Sequence, residues 1–244
     1  MLAMMEYIPI KTRVMKPPQD DLYAVLDESL TDIQAGDVVA VSSKVISIHE
    51  GNCVLFDADT KTELIKQEAD IVISRDYWYS PLTVTRNAFI GAAGIDESNA
   101  DGYLVPLPPD AFISAHDIYN YLRARFQIQD IGVVITDSHS TILRRGAMGL
   151  AIGWWGFHPT IDHVGEEDLF GREMRVEVAN IVDGLAAGAT VVMGEVAQCQ
   201  PVVVIRGVPD VTFTDQNTQD ELFVSLEEDT FRVLYQSHIP PNDT

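Results

Sequence analysis

Cysteine is scarce in this chain of 244 residues: only Cys53 and Cys199 occur, with no C-x-x-C spacing. That argues against a disulfide framework or a cysteine-rich zinc site and leaves each thiol as a small buried hydrophobe. Long apolar runs are also missing, and none approaches the roughly 20 residues a membrane helix needs. The opening stretch carries Glu6 and lacks the basic segment and apolar core of a secretory leader. A cytoplasmic protein is expected. Positive charge is the scarcest commodity: 16 Lys and Arg stand against 37 Asp and Glu, a formal charge of −21. Such a surface repels nucleic acid and anionic membranes. A site for a phosphorylated substrate must therefore recruit metal ions or gather the few basic side chains locally.

Several signatures are absent as well. There is no G-x-x-x-x-G-K-[ST] loop and no G-x-G-x-x-G after a strand, so a bound nucleotide would use another architecture. No G-x-S-x-G elbow supports a serine nucleophile. Ser138 and His139 are sequence neighbours, which a strand points to opposite faces. His158 and His163 lack partner cysteines and read as loop histidines rather than zinc ligands. No internal repeat or low-complexity linker divides the chain.

What is present is an ordinary globular composition, 46% hydrophobic and 22% charged, with enough length for a substantial core. Leu22, Val25, Leu26, Leu30 and Ile33 recur at helical spacing before Gly36. Asp37 to Val41 reads as a buried strand ending in Ser42-Ser43-Lys44. Ala115, Ile118, Tyr119, Leu122 and Phe126 mark a second helix, and Ile131 to Thr136 a strand that runs into Asp137. Val178, Ile181, Val182, Leu185, Ala189 and Val192 predict a third helix, and Pro201 to Ile205 a further strand. Helices interleaved with strands predict a mixed α/β (α+β) fold. A single domain over 1–244 is expected, with 208–244 as a C-terminal extension packed on it. The polar segments 91–102, 137–146 and 156–171 fall between the periodic elements, where chemistry usually sits.

Two of these segments carry candidate chemistry. Asp96, Glu97 and Asn99 offer the hard oxygen ligands that Mg²⁺, Mn²⁺ or Ca²⁺ prefer. An EF-hand register started at Glu97 places Pro108 where a bidentate Glu belongs, so that reading fails, and a solvated turn is the plain alternative. Asp137, at a strand end, can hold a metal, and Arg144 and Arg145 can clamp phosphate oxygens. A strand-ending turn with a solvated basic pair is the competing reading.

Taken in order, the blocks resemble the coenzyme F420:L-glutamate ligase family. They are Ser42-Ser-Lys-Val-Ile-Ser47 with Glu50-Gly51, Gly94-Ile-Asp-Glu-Ser-Asn99, Leu107-Pro-Pro-Asp110, Asp137-Ser138 with Arg144-Arg-Gly146, and Ala151-Ile-Gly153. Gly165-x-x-Asp168-x-x-Gly-Arg172, Val192-Met-Gly-Glu195 and Pro201 to Gly207 complete the set, over about residues 5–207. The resemblance implies the family's mixed α/β fold, an intertwined homodimer, and amide synthesis driven by GTP or ATP with divalent metals, Mn²⁺ or Mg²⁺, two of them. The acceptor's carboxylate would be phosphorylated and glutamate's amine would attack the acyl phosphate. Asp96 and Asp137 would ligate one metal, Ser138 (in place of the family's usual Thr) and Glu195 would serve the second, and Ser43, Lys44 and Asn99 would contact nucleotide. Pro9, Ile10 and Lys11 match a segment that lines the nucleotide through its backbone. Arg144 and Arg145 would act with Asp137 in catalysis as phosphate clamps, an assignment made on charge.

Two departures stand out. Ile48 replaces a second Lys, and Ser138-His-Ser-Thr-Ile142 replaces the usual Thr-Phe-Gly-Arg-Pro. Some relatives with such a loop are thought to act in folate γ-glutamylation, so the acceptor is expected to be either coenzyme F420-0 or a folate. A non-catalytic, regulatory binder of nucleotide or metal and a metal-dependent phosphohydrolase on the same scaffold are the competing functions.

Overall fold

A computed structural model describes residues 4–73 and 80–239. The first half comprises β1 (Glu6–Ile10), α1 (Leu22–Ser29), β2 (Val38–Ser42), α2 (Ser43–His49), β3 (Val54–Leu55), α3 (Ala58–Glu68), β4 (Ile71–Ile73), β5 (Leu82–Thr85) and β6 (Ala88–Gly91). The second comprises β7 (Tyr103–Leu104), α4 (Ala111–Phe126), β8 (Gly132–Ser140), β9 (Ala147–Trp155), β10 (Thr160–Asp162), β11 (Val178–Asn180), α5 (Ile181–Met193) and β12 (Val202–Arg206). The expected mixed α/β class is what the chain adopts.

The central sheet has the order β1-β12-β2-β8-β9, and only the β2–β8 pair is parallel. Its middle strands are buried on both faces, which is why they read as unbroken runs of Val and Ile rather than as alternating patterns. Side-chain alternation divides the core in two. Val39, Val41, Val133 and Ile135 pack with residues of α1, α2 and α4, whereas Val38, Ala40 and Val134 pack with α5. The sheet is thus covered by three helices on one face and by α5 on the other. Helix α5 lies close because Gly149 and Gly188 lack side chains: a Cβ at Gly149 would strike the Ala186 carbonyl, and one at Gly188 the Tyr7 ring.

Smaller sheets surround this core: β4-β5-β6, β3-β7 and β10-β11. Among the described residues, the segment after β12 has short 3₁₀ turns but no long element. It is anchored where Trp154 Nε1 donates to Thr218 Oγ1 at 2.9 Å and where Tyr235 is buried beside Ile71 and Val84. Among the described residues, no helix is long and apolar enough to cross a membrane.

The local differences from the sequence expectation have physical causes. Helix α1 ends at Ser29 rather than reaching Ile33, although Leu30 and Ile33 are buried as expected. The strand at Ile131 continues through Asp137 to Ser140 because β9 pairs with it along its length. Val178 belongs to a strand, and the third helix starts only at Ile181, where the Asn180 side chain accepts from Asp183 N. Ser43 and Lys44, expected at a strand end, open α2.

Candidate active site

Strands β2 and β8 run parallel, with Ser42 beside Thr136, so their C-terminal ends open together. Crevices outside such strand ends are a common place for ligands in α/β sheets. Here the crevice is a cleft of about 680 Å³. The β8–β9 register shifts between Ile135 and Thr136, directly before Asp137. Irregularities of this kind re-aim side chains next to sites.

The end of β2 turns at once into α2, and this brings Ser43 and Lys44 into the cleft beside Asp137. Asp96 comes from the loop between β6 and β7, which an antiparallel bridge to Val105 holds in place. The Ser98 backbone N–H donates to Asp96 Oδ1 at 2.7 Å and the Ser98 hydroxyl to Oδ2 at 3.2 Å, fixing the carboxylate. Lys44 Nζ stands 2.5 Å from Asp96 Oδ2 and donates to the Ser98 carbonyl at 2.9 Å. Asn99 has a left-handed backbone, φ 51°, and its Nδ2 donates to the Val196 carbonyl at 2.8 Å. That bond ties the Asp96 loop to the loop after α5, which carries Glu195.

The two carboxylates are in different electrostatic states. Burial, foremost, pushes the Asp137 carboxyl up to about 7, and the charge of Asp96 adds to the rise. The Ser138 N–H, Lys44 and a hydrogen bond from Ser43 oppose it without prevailing. Burial also acts on Asp96, but there the hydrogen bond and charge of Lys44, with the Ser98 donors, win and hold the carboxyl below its ordinary value. One cation therefore serves one of two neighbouring acids, and the second is left short of positive charge.

This donor set suits a hard divalent cation. Asp96, Asp137, Ser43 and Ser138 all present oxygen to one cleft, and the charge they lack is positive. Among the described residues, no three His, Cys, Asp or Glu side chains gather closely enough to form an ion site by themselves. An ion held here would rest on the two aspartates, with hydroxyls, water or substrate oxygens completing its shell. Mg²⁺ is commonly bound in that way.

Of the residues singled out in the sequence, Ser43, Lys44, Asp96, Asn99, Asp137, Ser138 and Glu195 all line this cleft. Pro9 and Ile10 instead lie in β1, paired with Val203 and Val202, and Lys11 donates to the Gln198 carbonyl at 2.6 Å. None of the three is in the cleft wall; the residues that follow, Thr12 to Pro17, are. Arg144 and Arg145 sit exposed in the β8–β9 turn, outside the cleft wall.

The sequence reading missed Arg13 and Lys16, which do line it. Arg13 is engaged by Asp20 through bonds of 2.7 and 2.8 Å, whereas Lys16 forms no ion pair among the described residues. The signal was available: two of the chain's few basic side chains fall just after a strand in an otherwise acidic protein.

The family described as F420-0:Gamma-glutamyl ligase matches residues 9–207. A coenzyme F420:L-glutamate ligase of Halorubrum lacusprofundi is 38% identical over 238 residues, covering 87% of this chain and 90% of that protein. The protein of the same name from Methanopyrus kandleri is 33% identical over 221 residues, covering 83% and 86%. That from Methanothermobacter thermautotrophicus is 31% identical over 232 residues, covering 86% and 90%. The match runs from the end of β1 across the segments that hold Asp96, Asp137 and Glu195 to the end of β12, and on that breadth the chain belongs to the F420-0:gamma-glutamyl ligase family.

Proposed function

We propose that this protein joins L-glutamate through an amide bond to the carboxylate of coenzyme F420-0, driven by GTP or ATP. The observation that carries the reading is the Asp96–Lys44 pair set against Asp137 at the mouth of the two parallel strands. A polyphosphate needs positive charge, and in a chain of charge −21 that charge has to be concentrated at one place. Lys44, Lys16 and Arg13 supply part of it. Divalent ions, Mg²⁺ or Mn²⁺, held by Asp96 and Asp137 and assisted by Ser138 and Glu195, would supply charge neutralisation for the rest.

The bond changes balance as follows. An oxygen of the acceptor carboxylate attacks the γ-phosphorus, the bond from that phosphorus to the β–γ bridging oxygen breaks, and nucleoside diphosphate leaves. The amine of glutamate then attacks the acyl carbon, phosphate departs with the C–O electron pair, and the nitrogen loses a proton. Little covalent chemistry falls to the protein, and positioning plus charge stabilisation dominate such transfers. The groups fit that task. Lys44 is an ammonium held by three oxygens from one loop, and Asn99 braces that loop against the Glu195 loop.

A homodimer belongs to the same proposal. Its support is the segment between β10 and β11, where Leu169, Phe170 and Val176 are each at least 88% exposed on one chain. Light scattering would give twice the chain mass if the reading holds.

The deciding experiment is mass spectrometry of reactions containing glutamate, Mn²⁺ or Mg²⁺, GTP or ATP, and either F420-0 or a reduced folate. A product heavier by one glutamyl residue establishes the ligase and identifies its acceptor. Nucleotide hydrolysis that ignores glutamate would replace this reading with a phosphohydrolase.

A further inference from the structure

A second cavity, of about 390 Å³, opens where β8 and β9 meet the β5–β6 hairpin and the segment after β12. Its walls hold four aromatic rings, Phe89, Phe223, Phe231 and Tyr235, and aliphatic side chains such as Leu150 and Leu226. Asn87, Asn180 and His139 interrupt this lining, as do three charged side chains that already have partners: Arg86 donates to Glu68, Asp183 accepts from Ala151 N, and Asp229 accepts from the Tyr235 hydroxyl. A chamber of this size with aromatic walls and polar groups set among them is the usual form of a small-molecule site. Aromatic walls with a few amides at the margin suit a flat, fused heteroaromatic ring, which has apolar faces and a polar edge.

Two further features point to a ligand. His139 Nδ1 is buried with no hydrogen-bond partner. Buried polar atoms are nearly always partnered, and an exception calls for a functional account. The other feature is position. Strand β8 serves both spaces: Thr136, Asp137 and Ser138 line the cleft, and His139 and Ser140 line the cavity. From Asp137 to Ser140 is three strand steps, roughly 10 Å.

We infer that this second cavity receives the flat, fused-ring head of the acceptor, so that its carboxylate-bearing arm runs along β8 and ends at Asp137. The inference rests on the ligase reading for the arm's destination, whereas the head site stands on its own lining. It also gives the segment after β12 a role, since that segment contributes Phe223, Phe231 and Tyr235 to the wall. A deazaflavin and a pterin share the required chemistry, being planar, fused and edged by a lactam.

The test uses two rim variants, Ile142→Asp and Phe231→Asp. Both side chains are about half exposed (47% and 58%), so the fold tolerates a charge there while the cavity does not. Direct binding is read by fluorescence with a deazaflavin riboside that lacks the carboxylate arm, with pterin as competitor. Turnover is read with full-length acceptor. The expected result is saturable riboside binding to wild type, weakened at least about tenfold in both variants. In turnover the acceptor KM rises by a similar factor, about tenfold, while KM for nucleotide and glutamate stays put. Competition by pterin would assign the site to a folate head, and its absence to a deazaflavin.

Normal riboside affinity and an unchanged acceptor KM in both variants would overturn the inference and leave the ligase intact. Riboside binding that depends on Phe231, in a protein that glutamylates nothing, would keep the cavity and remove the ligase reading.

Discussion

Lys44 Nζ and Asp96 Oδ2 meet at 2.5 Å across a gap of 52 positions in sequence, joining the start of α2 to the loop before β7. The pair is partly exposed, 22% for the lysine side chain and 41% for the aspartate, so its own contribution to stability is small. Its consequence is electrostatic. Lys44 is committed to Asp96, and Asp137 carries the unbalanced burden.

The first prediction concerns Lys44. Lys44→Ala removes a cation from a cleft rich in carboxylates, and nucleotide affinity should fall at least about tenfold, near 1.4 kcal/mol. Lys44→Arg keeps the charge but not the compact ammonium that reaches Asp96 and the Ser98 carbonyl together, so partial recovery is expected. Titration calorimetry with a nonhydrolysable nucleotide measures both. Unchanged affinity in Lys44→Ala would place the phosphates elsewhere.

A second prediction follows from Asp137. Its carboxyl is pushed up to about 7, so at lower pH it holds a proton that a divalent ion must displace. The sign is therefore fixed. Metal affinity rises as pH climbs toward 7 and levels off above it, losing about tenfold per pH unit well below that point. In Asp137→Asn that pH dependence should vanish along with most of the affinity. A Mn²⁺ titration followed by electron paramagnetic resonance at several pH values reads this directly, and a flat wild-type profile from pH 5.5 to 8 (roughly the range bracketing that value) contradicts it.

Much of this fold was legible because its core elements obey simple periods. Val38 to Val41 and Val133 to Ile135 are apolar without interruption because both faces of the central sheet are covered, and α4 and α5 show helical spacing because each buries one stripe. Asp96 and Asp137 could be named from their motifs, but only the family resemblance, and no pattern in the residues themselves, implied that they are adjacent. It depends on a loop bridged to Val105 and on β2 and β8 being neighbours. Helix α2 was hidden for a related reason. Ser43 to His49 is almost wholly buried, so no polar face breaks its pattern into a helical stripe. Arg144 and Arg145 show the reverse case: proximity to Asp137 in sequence suggested a clamp, whereas a paired strand carries the chain away for three residues before it turns, and both side chains lie outside the cleft lining.

That geometry yields a third prediction, a contrast between two sets of basic residues. Lys16 lines the cleft without an ion pair among the described residues, whereas Arg144 and Arg145 lie in the exposed turn. Lys16→Ala should weaken nucleotide binding several-fold, about 1 kcal/mol, and the double variant Arg144→Ala, Arg145→Ala should change it by less than about twofold. The same calorimetry decides it. If the double variant proves the more damaging, the turn must fold over the nucleotide when it binds.

The last prediction tests the scaffold apart from any ligand. Asp37 stands at the head of β2 with its side chain only 1% exposed, and Arg206 at the end of β12 grips it with Nε at 2.9 Å and Nη2 at 2.8 Å. Asp37 Oδ2 also accepts from Gln34 N at 2.8 Å, closing the turn that leads into the strand. Removing one partner of a buried ion pair leaves the other's charge uncompensated, and such losses run to about 3–5 kcal/mol. Arg206 keeps 25% exposure and a weaker contact to Asp32, so water recovers some of that and about 3 kcal/mol is expected for Asp37→Ala. For a domain of this size that corresponds to a melting temperature lower by about 6–12 °C. The double variant Asp37→Ala, Arg206→Met should recover part of the loss, because it removes the orphaned charge and keeps the apolar stem. Scanning calorimetry on these proteins together with the single variant Arg206→Met, four in all, gives the coupling energy, and an Asp37→Ala variant that melts with the wild type would show that the pair does not clamp β2 to β12.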